Sequence, residues 1–319
     1  MFPISVVIRT HNPRENYLGR VLEALKGQTL PKEQWELLLV DNASEMPLAN
    51  RVDLSWHPNA RRVRENKTGF TPARLCGIQE SKADLIIFVN DDNVLRPDYL
   101  EVAWKISLEQ PKLGAWSGSS ITEYETEPPE GYGSWLEQAL RIEKLSTPIL
   151  AKLPQGNHAT AAGTGMVIRR KQAMHYRELV LRDPLRQALD RSGELPGECG
   201  DSDMALAGFD LGFGTGRFPE LELIHLIPAS RLTLEYIAGV HEGFAYGETI
   251  VNALHDTGVR YHRELPPVEL PGFIQKLDIL ISAKNRIDRC IRLAQERGRS
   301  RAKHDLKKLG YQPPKPAFQ

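Results

Sequence analysis

Leu85-Ile86-Ile87-Phe88-Val89 contains no polar residue, and Asn90-Asp91-Asp92-Asn93 follows at once. An unbroken apolar run rich in Ile and Val predicts a strand buried on both faces. The same pattern occurs twice upstream. Ile4-Ser5-Val6-Val7-Ile8-Arg9-Thr10 stops at His11-Asn12-Pro13, and Glu36-Leu37-Leu38-Leu39-Val40 stops at Asp41-Asn42-Ala43-Ser44. Between those two runs, Tyr17, Leu18, Val21, Leu22 and Leu25 fall at helical spacing, and Gly27 suits the helix end. Val63 marks a short strand before Glu65-Asn66-Lys67-Thr68-Gly69, and residues 71–81 read as a helix with Pro72 in its first turn. After the third run, Pro97 suits the first turn of another helix, with Asp98 beside it. Strand, helix, strand in alternation predicts an α/β fold with right-handed parallel crossovers. The expected sheet is central and mostly parallel, with Leu85–Val89 in its middle and helices on both faces.

The second half continues less regularly. Residues 113–118 read as a strand, followed by an acidic loop through Pro128-Pro129. Gly197-Glu198-Cys199-Gly200-Asp201-Ser202-Asp203-Met204 opens a helix. Leu221 to Pro228 forms a further strand, with Arg231 after it, and residues 232–255 look helical. Beyond Pro266-Pro267, residues 273–297 read as a helix, with Ile274, Leu277, Ile281, Ile287 and Ile291 near one face. The tail from Pro313 is expected to be flexible.

Charge and composition narrow the partners. The 319 residues carry 41 Lys or Arg and 41 Asp or Glu, which gives no bulk electrostatic case for nucleic acid. Cys76, Cys199 and Cys290 are odd in number and far apart, so they form neither a disulfide framework nor a metal-binding pair, and a reducing, cytoplasmic setting is expected. Met1 to Ser5 leads straight into a strand, so no signal peptide is expected. No apolar stretch reaches the roughly 18 residues that a membrane span needs. Residues 284–308 carry ten Lys or Arg against three Asp or Glu. Such a run is either a solvated helix face or a contact for a membrane surface or an acidic partner.

The chemistry concentrates where the apolar runs stop. In a parallel sheet, Thr10 to Asn12, Asp41 to Ser44 and Asn90 to Asn93 lie along one edge, where open α/β sheets bind ligands. Asp91 and Asp92 repel one another unless a cation or hydrogen-bond donor compensates them, and a hard divalent cation bridging to phosphate oxygens would do so. Helix capping explains acids there equally well. His225, in an apolar strand, is either a satisfied core residue or a metal ligand.

The segments SVVIRTHN, LLLVDNAS, ENKTGFTPAR and FVNDDNVLRPDYL, in this order, resemble the nucleotide-binding half of inverting glycosyltransferases of family two, which have the GT-A fold, a Rossmann-like sheet flanked by helices. The resemblance covers about residues 4–120 and continues more loosely to about residue 240, where residues 163–168 are similar to the family's strand under the acceptor site. It implies a metal-dependent, hexosyltransferase-type enzyme that moves a sugar from a nucleotide sugar, a UDP-sugar, to a saccharide or lipid-linked acceptor in polysaccharide or glycoconjugate synthesis. It also implies three parts: a nucleotide-sugar half at 1–120, an acceptor half at 121–260 and a helical basic extension at 261–319. Thr10, Asn12, Asp41, Asn66, Gly69, Arg74 and Asp91 would hold the nucleotide, with Asp41 reading uracil. Asp92 would bind Mn²⁺ or Mg²⁺, with His225 as a second ligand.

The family's base segment usually reads Gly-Glu-Asp-x-Asp or Glu, whereas Gly200 stands here where that Glu would precede Asp201. Glu198, Asp201 and Asp203 therefore all remain candidates, with Asp201 fitting the register best. Asp201 and Asp203 diverge by about 200° if helical, and Asp203 would then serve the helix end. Two other readings stand beside transfer. A nucleotidyltransferase would want a Gly-rich phosphate loop, and residues 9–13 contain no glycine. A non-catalytic binding scaffold would account for the missing Glu.

Overall fold

The computed structural model describes residues 3–152, 159–192, 195–255 and 278–311. Strands β1 (Ile4–Thr10), β2 (Trp35–Asn42), β3 (Ala60–Glu65) and β4 (Leu85–Asn90) pair in parallel in the order β3-β2-β1-β4. The sheet continues through β8 (Val167–Arg169), β6 (Leu113–Tyr124), β11 (Gly214–Ile227) and β5 (Asn93–Leu95), and β7 (Ile149–Ala151) pairs with β11. β4 is central, and β6 and β11 are again parallel. The three short strands β5, β7 and β8 run antiparallel to their neighbours. Each is a brief pass of the chain along a longer strand, too short to show in an apolar pattern.

Alternation within the buried strands sorts the core into two layers. Ile4, Val6 and Ile8 face α1 (Glu15–Lys26) and α3 (Tyr99–Glu109), packing with Leu18, Val21, Leu25, Leu100 and Ala103. Val7, Ile86 and Phe88 face α2 (Phe70–Glu80) and α5 (Arg170–Arg182), packing with Ile78, Tyr176 and Val180. Pro97 lies outside α3. β5 intervenes between Asp92 and the helix, and Asp98 occupies its N-cap position.

A third layer joins α4 (Ser134–Leu140), α8 (Leu234–His255) and α9 (Arg286–Lys308) through Leu136, Leu140, Ile237, Val240, Ile291 and Ala294. The predicted helix over 273–297 differs from what is found. Asn285 is extended and caps α9 by accepting from the Asp288 N–H at 2.9 Å, so the chain breaks there and the helix runs on to Lys308. Ile274, Leu277 and the tail from Pro313 lie outside the described residues. α6 (Pro184–Gln187), β9 (Asp190–Ser192), β10 (Leu195–Glu198) and α7 (Gly200–Leu206) follow α5 in the chain, and β9 and β10 pair as a separate two-stranded sheet. Among the described residues no helix is long and apolar enough to cross a membrane.

Candidate functional site

The parallel register aligns Thr10 with Asp41, Arg9 with Asn90, and Asp41 with Arg64, so the polar strand ends share one edge. Thr10 Oγ1 donates to Asp91. Asn12, with φ 47°, holds the two neighbouring loops together: its N–H donates to Ser44 Oγ at 3.0 Å, and its Oδ1 accepts from the Glu45 N–H at 2.9 Å. Asp41 accepts from the N–H groups of Ser44 and Leu48 and from Arg64 Nη1 at 2.6 Å. Burial raises its carboxyl, but these hydrogen bonds and Arg64 outweigh burial and hold it low. A carboxylate has about four acceptor sites, so Asp41 is chiefly a loop organiser with little capacity left for a base N–H. Asn42 ties in the next loop, accepting from the Gly69 N–H at 2.8 Å and donating to the Lys67 carbonyl at 2.7 Å. Gly69 sits at φ 134°, which a side chain would strain. Asn66 lies exposed in that same loop.

Asp91 and Asp92 occupy different environments. Burial and the neighbouring charge of Asp92 push Asp91 up, with Thr10 opposing. Burial also works against ionised Asp92, yet positive charge beside it, from His225 whenever its ring is protonated and from Arg231 always, overcomes burial and holds that carboxyl well below the usual range. Asp92 Oδ2 lies 2.8 Å from Arg231 Nη1 and 3.5 Å from His225 Nε2. Asp92 Oδ1 accepts from Asn93 Nδ2 at 2.9 Å. His225 Nδ1 is 3.3 Å from the Leu140 carbonyl oxygen, and Nε2 is 3.3 Å from Arg231 Nη1. A carbonyl only accepts and a guanidinium only donates, so the contacts fit the tautomer with the proton on Nδ1. The Nε2 lone pair and Asp92 Oδ2 then converge on one cation position, which Arg231 Nη1 takes. That donor pair suits a divalent ion, with the Leu140 carbonyl in the supporting role usual for a ligating His. Among the described residues, no group of three or more His, Cys, Asp or Glu is arranged to hold a metal by itself.

On the other face of the edge, Asp201 sits in the first turn of α7. Its Oδ2 accepts from the Gly163 N–H at 2.7 Å and its Oδ1 from the Ser202 N–H at 2.8 Å, and the residue is half-exposed. The Gly163 segment runs directly to Met166, whose carbonyl accepts from the Phe88 N–H of β4 at 2.9 Å. Asp201 is thereby tied to the strand that delivers Asp91 and Asp92. Asp203 also lies in the first turn of α7, at the helix end as expected, but its carboxylate is fully buried, paired with Arg186, and 2.6 Å from His255 Nε2. Glu198 ends β10 and is half-buried.

Arg74, expected in the nucleotide pocket, is buried instead against Asp190, with Nη1–Oδ2 at 2.5 Å and Tyr176 OH at 3.3 Å. That pair also accounts for Gly200: a Cβ there would lie 2.5 Å from both Arg74 Nη1 and Asp190 Oδ2. The carboxylate of Asp190 thus fills the space where a side chain at 200 would stand.

A family model described as Glycosyl transferase family 2 matches residues 5–177, more than half of the chain. The chain belongs to that family. This family 2 chain is 29% identical over 101 residues to "Glycosyltransferase AglE" of Haloferax volcanii, a match spanning 31% of this chain and 33% of that relative. Its fold is similar to that of S. aureus TarS 1-349 in complex with UDP, with TM-score 0.50 and 14% identity over 94% of this chain and 92% of that one. A second structure of S. aureus TarS 1-349 gives TM-score 0.47 and 12% identity over the same shares. At such identities the likeness is one of fold. The family match ends inside α5, so Asp201, His225 and Arg231 lie beyond it. Sequence reading passed over Arg64, Asp190 and the role of Arg231. The parallel register opposite Asp41 could have found Arg64, whereas Asp190 carries no local signal at all.

Proposed function

We propose that this family 2 glycosyltransferase moves a sugar from a UDP-sugar to an acceptor hydroxyl with inversion, in polysaccharide or glycoconjugate synthesis at the cytoplasmic face of a membrane. The observation that carries the reading is Asp201, half-exposed, fixed by two backbone N–H groups and linked through Gly163 and Met166 to the strand ending in Asp91 and Asp92. TarS, the neighbour of similar fold, is described in complex with UDP. Residues 1–120 would form the donor half, 121–260 the acceptor half and 261–319 the basic extension, with α9 resting on the lipid surface.

Thr10, Asn12, Asn42, Gly69 and Asp91 would line the donor groove, with Asp41 bracing its loops. Asp201 takes the acceptor proton, the freed oxygen attacks the anomeric carbon, and the bond to the diphosphate breaks on the opposite side. A positioned base contributes about 10²–10⁴-fold. No covalent enzyme intermediate is needed. Asp92 and His225 would hold Mn²⁺ or Mg²⁺, which supplies Lewis-acid stabilisation of the leaving diphosphate. Arg74 and Asp203 are kept out of this scheme by their buried partners.

UDP release from a panel of UDP-sugars, with acceptor hydroxyls and with or without Mn²⁺, tests the reading. Asp201→Asn is expected to lower kcat at least about a hundredfold with UDP affinity nearly unchanged. Loss in Glu198→Gln with Asp201→Asn intact would move the base to Glu198. No release from any UDP-sugar would favour a binding scaffold.

A further inference from the structure

Asp92 and His225 present a carboxylate oxygen and a ring lone pair to one point, and a guanidinium nitrogen of Arg231 lies there at 2.8 and 3.3 Å. Nη1 carries two N–H groups, and here one meets the carboxylate oxygen and the other the ring lone pair, the same two atoms that would ligate a metal ion. The arrangement is one in which a protein cation occupies a cation site. Arg231 is suited to leave it. It lies on the short turn Ala229–Leu232 just after β11, and its side chain is 32% exposed, while those of Asp92 and His225 are 7% and 9% exposed. The two acceptors are therefore fixed and the donor is movable. Asp92 is held further by Asn93 and by its own carbonyl, which accepts from the Leu226 N–H at 2.9 Å. His225 is braced by the Leu140 carbonyl.

The geometry points to competition: Arg231 and a divalent cation exclude one another at the Asp92–His225 pair. Arg231 is the resident counter-ion that keeps Asp92 ionised and aimed, and an arriving ion displaces it. Two cations cannot share one carboxylate oxygen and one lone pair at bonding distance, because their repulsion in a half-buried site is screened far less than in water. This inference rests on the proposed reading of Asp92 and His225 as metal ligands. It adds that the ion's affinity is set against Arg231.

Mn²⁺ binding to the full chain without nucleotide, measured by the electron paramagnetic resonance signal of free Mn²⁺, tests it directly. Arg231→Gln is expected to bind Mn²⁺ about tenfold more tightly than wild type, a size typical of coupled sites. Arg231→Lys, which keeps the charge, should stay near the wild-type value. Asp92→Asn should abolish binding in both the wild-type and Arg231→Gln backgrounds, and near-ultraviolet circular dichroism should report an unchanged fold. Mn²⁺ binding that Asp92→Asn removes but Arg231→Gln leaves unchanged or weakens overturns the competition alone. Binding undetectable in both wild type and Arg231→Gln, or indifferent to Asp92→Asn, overturns the metal reading and the competition with it.

Discussion

His57 is buried against Trp35, with ring centroids 4.1 Å apart. Its Nδ1 accepts from the Asn59 N–H at 3.1 Å, so the ring proton sits on Nε2, which has no hydrogen-bond partner. Burial lowers its pKa from 6.5 to about 4. Above pH 6.5 the folded and unfolded states are both neutral there. As pH falls from 6.5 toward 4, the unfolded chain takes up a proton that the folded chain refuses, so stability is lost over that window. The loss is at most about 2.6 kcal/mol by pH 4.5, taking about 1.4 kcal/mol per pKa unit. Urea unfolding at pH 7.5 and 4.5 should show a smaller drop in His57→Phe than in wild type, and an equal drop would refute it. At this scale the sequence was informative where chemistry is local. Asp91 and Asp92 could be singled out by their place at a strand end, and Asp201 by its register in the family's base segment. Arg74 could not be assigned, because its partner Asp190 is 116 residues away and only folding brings them together.

The Arg74–Asp190 pair joins α2 to β9 and fills the space beside Gly200. Removing one member of a buried pair leaves the other charge uncompensated, which costs about 3–5 kcal/mol. Asp190→Ala should therefore lower Tm strongly, whereas Arg74→Met with Asp190→Leu should be milder than the single change. A single change no worse than the double would show that the pair is not acting as a unit. A similar constraint holds α9 on α8. A Cβ at Gly298 would strike the Glu242 carbonyl and lie 3.0 Å from the Tyr246 nitrogen. Gly298→Val should push the helices apart and expose α9 to limited proteolysis, while the sheet stays resistant. The long strands were legible because burial on both faces leaves an unbroken apolar run. β5 and β7 were not, since three residues carry no period, and β8 was reached only through the similarity of residues 163–168 to a family strand. The α9 boundary was missed because Asn285 caps the helix inside a stretch whose composition is helical throughout.

Across the whole molecule the charge is balanced, but α9 concentrates positive charge on one side. Ile291, Ala294, Gly298 and Ala302 are buried toward α8, and Arg297 is engaged by Glu242 at 2.7 Å. Lys284, Arg286, Arg289, Arg301 and Lys307 remain exposed, with Leu280 and Ile281 exposed just before them. A basic residue close to an anionic bilayer contributes about 1 kcal/mol, an effect that falls away within a Debye length of about 8–10 Å. Several together, with apolar side chains nearby, suffice for reversible attachment without a spanning helix. The full chain should sediment with vesicles containing phosphatidylglycerol at about 0.1 M salt, where the Debye length is about 10 Å. It should release them as salt is raised to about 1 M, where that length falls to about 3 Å, and it should ignore purely zwitterionic vesicles. Replacing Arg286, Arg289 and Arg301 by Gln should weaken attachment at least about tenfold, at about 1 kcal/mol per charge. UDP release with a water-soluble acceptor should be unaffected, because these side chains are exposed on α9, which packs on α8, and belong to neither the strand ends nor the Asp201 turn. Salt-insensitive sedimentation, or equal sedimentation of the triple variant, would return α9 to the status of a solvated helix whose charges only keep the molecule in solution.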